Sequence, residues 1–199
     1  LFESISLKAI YYVIGYMSLP LFFLALVVGW RSINARCLIS LLIIVELVDT
    51  AMIDTVYGWG NNYYLWIFIY AFIYLYVVLA RRLIVKKLRN ISVFCNDVYE
   101  NYYFSKQEGA LILIYVGYIL AIFIALCEVK MFEYDIVDSF PYLKHIFSPI
   151  LTILCLIETL LVLKLASRTV PIDEHVLALK RRRKFERKRL TNMSEKKDR

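Results

Sequence analysis

The sequence predicts an all-α polytopic membrane protein, a transmembrane helical bundle of four or five spans followed by a basic cytoplasmic C-terminal helix. Three observations carry this prediction. Of 199 residues, 61% are hydrophobic and 16% aromatic, and the mean hydropathy is +0.63, whereas ordinary soluble domains are roughly 45–50% apolar. The apolar residues gather in five segments, 9–30, 37–53, 63–80, 110–127 and 145–166. Basic residues collect on alternate connections and in the tail, as the positive-inside rule requires of cytoplasmic segments. The chain therefore divides into a bundle, residues 1–167, and a tail, residues 168–199.

The first segment follows a stretch, residues 1–8, that mixes Glu3 with Lys8 and precedes no small-residue cleavage site, so it is expected to be a permanent span. The second is short and carries Glu46 and Asp49. If it does not cross, four spans remain, and this segment is re-entrant or interfacial. The third, YYLWIFIYAFIYLYVVLA, has aromatic residues at alternate positions from Tyr64 to Tyr76, a strand-like period. Its length decides otherwise, because eighteen residues without charge, Gly or Pro extend about 27 Å as a helix, close to one bilayer core. On that helix the aromatics separate into two faces, with Tyr64, Phe68, Phe72 and Tyr76 on one and Trp66, Tyr70 and Tyr74 on the other. One face can pack within the protein while the other meets lipid or another subunit.

Charge sets the orientation. The connection 31–36 has two arginines and no acid, and Arg81, Arg82, Lys86, Lys87 and Arg89 follow the third segment. The connection 54–62 has no Lys or Arg, and 128–143 is mainly acidic. Five spans thread these with the N-terminus outside and the C-terminus inside. The connection 83–108 is cytoplasmic, and Ile84, Leu88, Ile91 and Cys95 approximate one helical stripe that extends the third helix or lies on the membrane.

Polar residues inside spans are the candidate functional groups. Glu46, Asp49 and Glu158 must face protein, water or each other, because an ionised carboxylate facing lipid costs several kcal/mol, on the order of 3. Glu46 lies nearest the middle of its segment, Asp49 nearer the outer interface, and Glu158 has Thr159, a tyrosine or a second subunit as possible partners. The hydroxyls of Tyr70 and Tyr74 need acceptors at their depth. Gly117, Ala121 and Ala125 recur every four residues and mark a close helix contact, within the chain or between copies, as do Ala25 and Gly29. Pro20 is placed to kink the first helix.

No catalytic constellation is present: the chain contains no Walker loop, GxSxG elbow, HExxH or dinucleotide glycine pattern. Cys37, Cys95, Cys127 and Cys155 stand singly, and His145 and His175 lack neighbouring ligands, so neither metal nor cofactor is expected. The tail carries the charge. Residues 164–199 include 13 basic and 5 acidic residues, a balance of +8 in a chain whose total is +7. Lys180, Arg181, Arg182, Arg183, Lys184, Arg187, Lys188 and Arg189 form its core. They suit attraction to anionic lipid or docking of a cytosolic protein effector, with direct nucleic-acid binding a weaker third reading because nothing here reads bases.

This architecture, a compact aromatic-rich multispan protein with almost no external domain and a basic C-terminal tail, resembles the membrane subunit of the two-component Kiwa anti-phage defence system. The resemblance covers size and layout and includes no residue motif. It implies a homo-oligomer in the bacterial inner membrane that senses infection and works with a cytosolic DNA-binding subunit. The family pattern has four spans. A non-enzymatic sensor or scaffold is the function expected, with a homo-oligomeric ion channel using Glu46 and Glu158 as the alternative.

Overall fold

A computed structural model describes residues 7–167 with Arg182, Arg183 and Phe185, and side-chain surroundings from residue 17 onward apart from 54, 57 and 61. Helices α1 (Leu7–Val28), α2 (Ile33–Tyr57), α3 (Tyr63–Leu88), short α4 (Val93–Glu100) and α5 (Lys106–Glu133) follow in order. A sixth helical segment, α6 (Leu143–Ser167), completes the bundle. All five apolar segments are thus helical, and no strand occurs among the described residues. Helices α3, α5 and α6 are long and apolar enough to cross a membrane.

The helix ends follow from local chemistry. Ser32 opens α2 by accepting a hydrogen bond from the Ala35 amide at 3.2 Å. Ser105 opens α5 the same way, accepting from the Glu108 amide at 3.2 Å, and Ser-x-x-Glu at this point is a capping box. The start of α6 is capped from a distance. The Glu128 carboxylate on α5 accepts from the amides of Tyr142 at 2.8 Å and Leu143 at 2.9 Å, satisfying donors that a helix N-terminus leaves without intrahelical partners. The first turn of α6, Leu143–Phe147, is a π-helix. Pro149 accounts for the widening, since its ring crowds the carbonyl four residues earlier and it offers no N–H. Pro20, by contrast, is carried inside α1 without ending it.

The long helices form a closed ring. Helix α1 packs on α2, α2 on α3, and α3 most extensively on α5. Gly117 of α5 lies against Leu154 of α6, and Gly29 at the end of α1 lies against Ala166 of α6. Small residues permit this last approach, as a Cβ at Gly29 would come within 3.2 Å of the Ala166 Cβ. Phe22, Ala25, Leu38, Leu42 and Val78 are buried where the helices meet.

Each helix also turns an apolar face outward. Leu24 and Val27 on α1, Ile44 and Val48 on α2, Phe72 and Tyr76 on α3, Leu113 and Leu120 on α5, and Ile153 and Leu160 on α6 are exposed. Such a surface suits lipid contact and is unfavourable in water. Helix α3 divides only in part as its aromatic spacing predicts. Tyr70 is buried and Trp66 and Tyr74 pack beside it, and Phe72 and Tyr76 face out. Tyr64 and Phe68 of that second face instead pack against the cluster of Ala71, Ile122, Ala125 and Phe147, because α5 and α6 cover that end of α3.

The expected cytoplasmic connection is partly an extension of α3 and partly a separate helix. The stripe of Ile84, Leu88, Ile91 and Cys95 is broken at residues 89–92, where the chain turns, and Ile91 is 80% exposed. Helix α4 instead docks through Val98 on Cys37 and Val85. Arginines clamp it, with Arg36 4.5 Å from the Phe94 ring and Arg89 5.6 Å from the Tyr99 ring.

Candidate functional site

The bundle holds a partly open cavity of about 730 Å³ lined by all five long helices. It occupies the half of the bundle that ends in the α2–α3 and α5–α6 connections. Glu46, Asp49, Glu158, Tyr70 and Tyr74, drawn from three helices and chosen from sequence for their depth, all line it. Tyr115 and Tyr118 of α5 join them.

Every carboxylate in this cavity has a donor from another helix. Glu46 accepts from the Ser18 hydroxyl of α1 at 2.5 Å and from the Tyr74 hydroxyl of α3, so one side chain ties three helices. Asp49 accepts from the Trp66 indole N–H at 3.2 Å. Glu158, only 7% exposed, accepts from the Tyr115 hydroxyl of α5 at 2.6 Å. Its partner is therefore a tyrosine of the same chain, while the Thr159 hydroxyl turns back to the Cys155 carbonyl at 3.0 Å. Tyr70 donates to the Val45 carbonyl at 3.0 Å. The rings form a continuous wall, with Trp66 stacked on Tyr70 at 5.2 Å, Tyr74 on Tyr115 at 5.4 Å, and Tyr115 on Tyr118 at 6.3 Å.

Among the described residues no Lys, Arg or His lines the cavity. The acids are held by neutral donors, the cheapest arrangement for a buried carboxylate without a counter-ion. Among the described residues no group of three His, Cys, Asp or Glu side chains is placed to hold a metal ion.

The small-residue stripe is used inside the chain. Ala121 and Ala125 are buried, Ala125 packs with Ala71 of α3 and Phe147 of α6, and Gly117 faces Leu154. This face is therefore covered by α3 and α6 and is not presented to a second copy.

A second polar centre, absent from the sequence reading, lies at the opposite end. Arg81 reads as an interfacial anchor, yet it is fully buried and pairs with Glu108 at 3.1 Å. Its guanidinium also donates to the carbonyls of Asn34 at 3.2 Å and Tyr103 at 3.1 Å, and lies 4.7 Å from the Tyr102 ring. Asn34 in turn donates to the Asn101 carbonyl at 2.8 Å. The capping box at Ser105 and Glu108 was the available signal.

Of the basic tail, Arg182 and Arg183 are helical and exposed, as is Phe185. Lys180, Arg181, Lys184, Arg187, Lys188 and Arg189 lie outside the described residues. Comparison with family models, curated proteins and solved structures returns no match for this chain.

Proposed function

We propose that the protein is a non-enzymatic inner-membrane sensor or scaffold with five spans, its N-terminus outside and its C-terminus in the cytoplasm. The observation that carries this reading is the division of every long helix into an apolar outward face and a lining that meets the others at one cavity. It favours five spans over four, because α2 turns Glu46 and Asp49 inward and Ile44, Leu47 and Val48 outward. With the basic connections on the cytoplasmic side, the cavity belongs to the outer half of the bundle and the Arg81 centre to the inner end. A chamber on one side and a charged tail on the other is the layout a signal relay needs.

The tail's part is recruitment of a cytosolic effector, with anionic lipid attraction alongside it, in an assembly of several copies such as the Kiwa resemblance implies for anti-phage defence. The channel alternative is less well supported. A pore between copies needs Glu46 and Glu158 on a surface that copies share, and both turn into the cavity of one chain.

Replacing Arg181, Arg182, Arg183, Arg187 and Arg189 by Gln tests the docking role. Affinity purification from native membranes should then recover less of the cytosolic partner, and raising salt should imitate the change in the unmodified protein, since exposed charge is screened over about 8–10 Å. Full partner recovery by the variant at normal expression overturns it.

A further inference from the structure

We propose that the cavity is a binding site for a lipophilic organic monocation, a quaternary ammonium or phosphonium centre carried on an apolar body. This deepens the sensor reading and rests on its membrane placement. Three independent features select this chemistry. The volume of about 730 Å³ falls within the roughly 300–1,000 Å³ typical of small-molecule sites. Among the described residues the lining holds Glu46, Asp49 and Glu158 and no cationic side chain, so their field attracts cations and repels anions. Tyr70, Tyr74, Tyr115 and Tyr118 line the same space, and aromatic rings attract organic cations.

The remaining walls fix the apolar part. Ile67 of α3, Ile122 of α5 and Leu151 of α6 line the same space, giving an apolar body a surface that a small inorganic cation would leave wet. A phospholipid with an ammonium headgroup is a poorer occupant, because its phosphate would meet the same carboxylates. A neutral apolar compound would leave the acids unused. The occupant favoured is therefore a free amphiphilic cation.

Occupancy also has a route to the fold. Glu46 holds α1, α2 and α3 through Ser18 and Tyr74, and Glu158 holds α6 to α5 through Tyr115. A cation that draws on these carboxylates competes with the hydroxyls that join the helices, so binding and helix packing are linked.

The test is equilibrium dialysis of the purified full chain in dodecylmaltoside with labelled tetraphenylphosphonium, and in parallel with neutral triphenylphosphine oxide. The expected result is saturable binding of one phosphonium per chain, no saturable binding of the oxide, and affinity lowered about tenfold or more by Glu46→Gln and by Glu158→Gln. Gln retains an acceptor for the Ser18, Tyr74 and Tyr115 hydroxyls, and the phosphonium–oxide comparison on the unmodified protein needs no variant. Equal binding of the two compounds, absence of saturable phosphonium binding, or unchanged affinity in folded Glu46→Gln and Glu158→Gln each overturns the proposal. Displacement by phosphatidylethanolamine but not phosphatidylglycerol would assign the site to a lipid headgroup and overturn it as well. If phosphonium binding is absent while the tail still recovers its partner, only the ligand assignment falls. Partner recovery that ignores the tail strikes the relay reading and leaves the dialysis result intact.

Discussion

Arg81 and Glu108 lie 3.1 Å apart with side chains 0% and 2% exposed, so the ion pair that joins α3 to α5 is held away from solvent. Two backbone carbonyls share the guanidinium with Glu108. Removing one member of a buried pair leaves the other charge without compensation, at a cost of about 3–5 kcal/mol. Glu108→Ala should therefore lower the midpoint of thermal unfolding in detergent sharply. Adding Arg81→Met should recover part of that loss, and additive losses would show that the pair is not coupled.

Glu46 makes a comparable prediction for the cavity. Glu46→Leu strands the hydroxyl of Tyr74, at about 1–3 kcal/mol. A double variant that adds Tyr74→Phe should unfold at a temperature no lower than Glu46→Leu alone. Further loss in the double variant would mean that the tyrosine stabilises the bundle independently of the acid.

The two glycine contacts should respond differently. At Gly29 a methyl group would meet the Ala25 carbonyl oxygen at 3.1 Å and Ala166 at 3.2 Å, so Gly29→Ala should destabilise by about 1–3 kcal/mol through overpacking. Gly117→Ala meets only the end of Leu154 at 3.4 Å and gains about 1 kcal/mol of helix propensity. Its unfolding midpoint should stay level or rise, and the mass of the detergent-solubilised assembly should not change. A smaller assembly would place a copy-to-copy contact at that stripe.

Local pattern made much of this legible. Length and hydropathy marked all five long helices, and the period of the aromatics in α3 separated Trp66, Tyr70 and Tyr74, which turn inward, from Phe72 and Tyr76, which turn out, though Tyr64 and Phe68 on that second face are covered by α5 and α6. The expense of an acid in lipid singled out Glu46, Asp49 and Glu158, and the structure brings all three to one cavity. Pairings between distant residues were not legible. An arginine closing an apolar run reads as an anchor, and only the return of α5 beside α3 puts Glu108 where Arg81 is buried. Glu128 counted as a loop charge for the same reason, since its role as the cap of α6 depends on a turn of chain that no local period records. Hydropathy also understated helix length, because α3 and α5 continue as helices into polar sequence.

The most direct measurement of the account is the sidedness of single cysteines in intact cells, in a background with the four native cysteines replaced by alanine. Ser32 is unsuitable as a reporter because it is fully buried, whereas Arg31, Asn62, Arg89 and Ser139 are exposed. A bundle that crosses five times with its acid-lined cavity toward the outside predicts that an impermeant thiol reagent labels cysteine at Asn62 and at Ser139 and misses it at Arg31 and at Arg89 until the cells are opened. Labelling at Arg31 in sealed cells would contradict the five crossings, and protection of Asn62 and Ser139 would contradict the outward placement of the cavity.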